Sequence, residues 1–82
     1  MIYPMYSIRD IHTGFMSPTS DMNDNSAARN FAHVIRASDG VMHTHPSDFD
    51  LFKIGSFDTE TGQLDLLWPI TLVMSGGDVD GI

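Results

Sequence analysis

Apolar and polar positions alternate from the first residues of the chain. Ile2, Pro4, Tyr6 and Ile8 share one parity and Tyr3, Met5, Ser7 and Arg9 the other, which is the two-residue period of a β-strand. A second run of strand composition covers about residues 50–57, with Phe52 and Ile54 on one face and Leu51, Lys53 and Phe57 on the other. Between the two runs the period changes. Ala28, Phe31, Ala32 and Ile35 follow the i, i+3, i+4, i+7 spacing of a buried helical stripe. Asn23, Asp24 or Asn25 can cap that helix and Gly40 supplies a stop, so the pattern predicts a helix over about residues 24–38.

Each strand-like run leads into the same turn. Residues 10–14 read DIHTG and residues 58–62 read DTETG, both D-x-x-T-G. The aspartate opens such a turn by accepting backbone amides ahead of it, and the glycine closes it with a positive φ. Two β-hairpins follow, one pairing about residues 2–9 with 15–19 and the other about 50–57 with 63–68. The order ββαββ predicts an α+β fold, a small antiparallel sheet of two hairpins with one helix packed across it. Pro69 is expected to break the last strand. The apolar run ITLVM beyond it predicts a fifth strand, paired across a homodimer or lying at the edge of its own sheet. A single domain over residues 1–75 would then be followed by a flexible acidic tail, 76–82, jointed at Gly76 and Gly77.

Composition narrows the function. A chain of 82 residues buries roughly 60–65% of its unfolded surface, so stability is modest. With no cysteine, neither disulfides nor thiolate metal sites can add to it, a pattern that fits a reducing cytoplasm. The N-terminal residues lack the basic and apolar segments of a secretion signal, and no apolar run is long enough for a membrane span. The net charge is −7, from eleven acids against four Lys and Arg, which opposes bulk attraction to nucleic acid. Distribution softens that conclusion. Most acids fall in expected loops, caps or the tail, whereas Arg9, Arg29, Arg36 and Lys53 fall in expected elements, so one face can be locally positive.

Candidate chemistry is sparse. In MHTHP, residues 42–46, His43 and His45 would share a strand face if extended, but zinc needs a further ligand such as His12, His33, Asp48 or Asp50. The flanks DGVM and PSDFD read as loop, so no metal and no cofactor are expected. No nucleophile–base pair, phosphate-binding glycine loop or paired-carboxylate cleft is visible, and no catalytic residue is assigned. Arg29, His33 and Arg36, at i, i+4 and i+7, instead form a ridge of donors opposite Phe31 and Ile35. Phe31, Phe52, Phe57 and Trp68 are expected in the core. Tyr3 and Tyr6 lie on opposite faces of the first strand, so an exposed tyrosine near Arg9 could stack on a base.

The segments YSIRDIHTGF, NDNSAARNF and HPSDFDLFKIGSFDTETG, in that order, resemble the small nonstructural protein of gokushoviruses, single-stranded DNA microviruses of bacteria. The similarity covers about residues 3–62. It implies a DNA-binding protein in the cytoplasm of an infected bacterial host, acting when replication turns from duplex copying to single-strand synthesis. Under this reading single-stranded DNA is the partner, with viral or host replication proteins as further partners. Arg9, Arg29, His33, Arg36 and Lys53, with Tyr3 or Tyr6, are the candidate contacts. A protein–protein adaptor in viral replication or assembly, to which acidity is no obstacle, is the alternative. The apolar residues from Leu64 to Met74 are expected to hold a homodimer.

Overall fold

The computed structural model describes residues 1–79. Its first strand, β1 (Ile2–Asp10), is followed by two short returning strands, β2 (Gly14–Phe15) and β3 (Thr19–Ser20). Next come the main helix α1 (Asp24–Ala37), a one-turn helix α2 (Val41–Thr44), and a 3-10 turn over Pro46–Asp48. Strands β4 (Phe49–Asp58) and β5 (Leu64–Ser75) and a last 3-10 turn over Gly76–Asp78 complete it. All strand pairs are antiparallel, in the order β2–β1–β4–β5, with β3 also on β1. The expected α+β architecture and its hairpins are present.

The two D-x-x-T-G turns are alike in their hydrogen bonds. Asp10 Oδ1 accepts from the His12 amide and Asp58 Oδ1 from the Glu60 amide, each at 2.9 Å. Gly14 and Gly62 then take φ of +100° and +76°, a region that favours glycine. The Glu60 amide is the main reason the Asp58 carboxyl is held below its usual range.

Helix α1 begins where Asn23 accepts from the Ser26 amide at 2.8 Å. It ends at Ala37, one residue earlier than predicted. Gly40 starts α2 instead of closing α1. The buried stripe is Ala27, Phe31, Ala32 and Ile35, with Ala28 only half-buried. These side chains pack on Tyr6, Phe49, Leu51 and Val79, with Ile8, Met42, Val73 and Met74 around them. The sheet residues in this core come from one half of their strands, where Ile8 pairs with Leu51 and Leu51 with Met74. The other half, residues 2–5 of β1, 55–58 of β4 and 64–67 of β5, adds nothing to that core. It projects beyond the helix, and the molecule measures 40 × 22 × 18 Å.

Two expectations change at the C-terminal end. Pro69 does not break the strand; β5 runs through it, and ITLVM continues the second hairpin at the edge of its own sheet. Lys53 pairs with Thr71 and Gly55 with Leu66, so residues 67–70 stand opposite Ile54 alone. That bulge accommodates a residue with no amide hydrogen to donate, and the Trp68–Pro69 peptide within it is cis. The glycine pair is likewise no loose joint. Gly76 is buried, the Gly77 amide donates to Ser75 Oγ at 3.4 Å, and Val79 is in the core. The domain therefore reaches Val79, and the rest of the expected tail lies outside the described residues.

Tyr6, 1% exposed, donates its hydroxyl to Asp24 Oδ1 at 2.5 Å and so ties β1 to the first turn of α1. Burial, then the Asp24 hydrogen bond and the charges of Asp24 and Asp21, push its phenol pKa well above the ordinary value. A folded-state pKa raised in this way contributes stability that is complete below the unfolded phenol value, about 10, and is lost as pH rises beyond it. Melting temperature should accordingly fall above about pH 10. In Tyr6→Phe that fall should be shallower, after a loss of about 1 kcal/mol at neutral pH, both measurable by circular dichroism.

Candidate nucleic-acid interface

The seven residues expected to contact DNA do not form one surface. Arg29, His33 and Arg36 stand exposed along the outer face of α1, opposite Phe31 and Ile35. Arg29 and His33 line a shallow cleft of about 400 Å³ with Asp21, Ser26 and Asn30. The acid in this cleft is already engaged: Asp21 accepts from the Met22 amide and from Asn30 Nδ2, each at 2.8 Å. Among the described residues Arg29 forms no ion pair. Asp24 in the first turn and Arg36 in the last both complement the helix dipole.

The cations on the strands are committed elsewhere. Arg9 pairs with Asp50 at 2.9 Å and lies over the Phe52 ring, 4.9 Å from its centroid. Its Nε is buried with no partner among the described residues. Because Ile8 faces the core, its neighbour Arg9 points to the sheet face away from α1. Lys53 Nζ lies 3.5 Å from Asp24. Tyr6 is withdrawn into the core and cannot stack on a base, whereas Tyr3 is half-buried and donates to Met1 Sδ at 3.5 Å.

Residues 42–44 of MHTHP lie in α2, where a loop was expected, Pro46 opens the 3-10 turn, and the two histidines take different partners. His43 Nδ1 lies 3.1 Å from the Ile35 carbonyl oxygen, and His45 Nδ1 lies 2.8 Å from Thr44 Oγ1. His12 Nε2 approaches Asp48 at 3.3 Å beside a cleft of about 270 Å³ that His45 also lines. Among the described residues no three such side chains are grouped to hold a metal ion.

Two features escape the strand pattern. Phe15 and Phe52, 5.8 Å apart, form with Arg9 an aromatic and cationic cluster on the open sheet face. The pairing of Arg9 with Phe15 across the first turn was the available signal. Trp68, expected in the core, is 84% exposed, and Phe52 and Phe57 are only half-buried. Pro69 beside Trp68 marked an irregular strand, but nothing in the pattern indicated that α1 would stop short of it.

No helix among the described residues is long and apolar enough to cross a membrane. Comparison finds no match among curated proteins or solved structures. A family model spans nearly the whole chain, residues 3–79, and by that match this small phage protein belongs to the Phage ORF5 protein family.

Proposed function

We propose that this phage protein is a nonenzymatic DNA-binding protein of the gokushovirus type, favouring single strands. Its place is in genome replication, at the turn to single-strand synthesis in the cytoplasm of an infected bacterial host. The observation that carries the reading is the outer face of α1. Arg29, His33 and Arg36 stand exposed there in one row. A helix rises about 1.5 Å per residue, so Arg29 and Arg36 stand about 10 Å apart, enough for each to hold a separate phosphate of an extended strand. Gel shifts with single- and double-stranded oligonucleotides at low and physiological salt test this. Weak single-strand binding is expected, neutralising about two or three phosphates per chain and hence giving a shallow salt slope. No binding at low salt would remove the proposal.

A second reading, an adaptor between replication or assembly proteins, is supported by a different observation. The projecting half of the sheet exposes Leu64, Leu66 and Trp68, side chains suited to a protein partner and not to phosphate. Under that reading the same gel shifts are negative and immobilised protein retains another phage protein.

A further inference from the structure

Strand β5 reads LDLLWPITLVMS, and Asp65 is its one charged side chain. Its apolar side chains are not accounted for by the core. Leu66 is 92% exposed and Trp68 84%, with Leu64, Leu67 and Leu72 also open to solvent. Leu64 and Leu66 lie on one face of the strand, whose pairing from Leu64 to Leu66 is regular, so their apolar surfaces adjoin.

The chemistry of the patch selects its occupant. Residues 54–75 contain no Lys or Arg, so a polyanion finds no attraction there. Two chains of charge −7 can meet through β5, whose one acid is Asp65. The projecting half also carries an apolar groove of about 150 Å³, lined by Met5, Pro18, Ile54, Leu64 and Leu66. One chain thus supplies both a projecting indole and an apolar hollow, and two copies about a twofold axis fill both at once. Strand addition is disfavoured, because Pro69 and the bulge over residues 67–70 interrupt the free edge of β5. Side chains would make the contact, and the assembly would close at two.

We propose that a second copy of this chain covers the projecting half of the sheet, forming a closed homodimer anchored by Leu66 and Trp68. Trp68 is the sole tryptophan, so its fluorescence reports this surface directly. Sedimentation equilibrium of the full chain should give twice 9.1 kDa, with emission moving to shorter wavelength as concentration rises. Leu66→Glu should weaken association at least about tenfold and keep the indole emission at its solvent-exposed position. Its far-UV circular dichroism should match the parent, since a side chain this exposed supports nothing within one chain. Trp68→Ser provides a second variant that should also dissociate. Arg29→Ala/Arg36→Ala should remain dimeric, separating this inference from DNA binding. A parent that stays at 9.1 kDa up to about 1 mM overturns the proposal, as does mass that grows without limit or a Leu66→Glu protein that dimerises like the parent.

Discussion

Gly76→Ala should lower the melting temperature by roughly 15–25 °C. A Cβ at this position would lie 2.0 Å from the Pro46 carbonyl oxygen, 2.7 Å from that of Phe49 and 3.0 Å from Ile35 Cδ1. The first two are backbone atoms of the 3-10 turn over Pro46–Asp48 and of the first residue of β4, and the third belongs to a core side chain with no exposed surface. None can move without displacing the 3-10 turn, β4 or α1. Overpacking of this kind costs about 3 kcal/mol or more, against a total stability of roughly 4–12 kcal/mol for about 80 residues. Gly77→Ala is the control. Its Cβ would meet Ser47 Cβ at 3.4 Å, an ordinary contact, and the melting temperature should move by only a few degrees. Thermal unfolding followed by circular dichroism reads both. Equal shifts in the two variants would show that the C-terminal turn does not pack as described. Removing residues 76–82 should likewise destabilise the domain, because Val79 leaves the core with them.

Arg29→Ala/Arg36→Ala should reduce single-strand affinity by about 10- to 50-fold at low salt, with the domain still folded. Both side chains are exposed on the face of α1 opposite the core, so the melting temperature should stay within about 5 °C of the parent. The salt slope should flatten at the same time, since two fewer counterions are released. Lys53→Ala separates local contact from net charge. It removes one cation, as Arg29→Ala does, but Lys53 already lies beside Asp24. Loss of affinity in Arg29→Ala without loss in Lys53→Ala is the expected outcome, measured by fluorescence anisotropy on a labelled oligonucleotide. Equal losses would mean that only the overall field matters. A double variant that binds like the parent would leave the row as an ordinary solvated helix face.

Local chemistry made much of this legible in advance. Asp10 and Gly14, and Asp58 and Gly62, specify their turns through bonds that span only two to four residues, so the repeat could be read without a fold. The α1 stripe was legible for a similar reason, since helical periodicity places Phe31, Ala32 and Ile35 on one side whatever they pack against. The shift from Ala28 to Ala27 depends on how the helix rolls on the sheet, which periodicity alone does not fix. The candidate site was legible in the same partial way. The row Arg29, His33, Arg36 follows from helix geometry, but the neutralisation of Arg9 by Asp50 and of Lys53 by Asp24 joins residues 41 and 29 positions apart.

The sequence by itself determined the local elements of this protein: two hairpins with one turn chemistry, a capped helix between them, and a donor row on that helix. Tertiary structure alone decided where the helix lies along the sheet, and the rest follows from that placement. Over one half of the strands, α1 buries Tyr6, Phe49 and Leu51 and draws Gly76 and Val79 in behind them. Beyond its end, Leu66 and Trp68, as apolar as any core residue, are left in solvent. Period and composition record whether a side chain favours burial, whereas burial itself requires a second surface within reach, and one 14-residue helix supplies that surface to only half of the sheet.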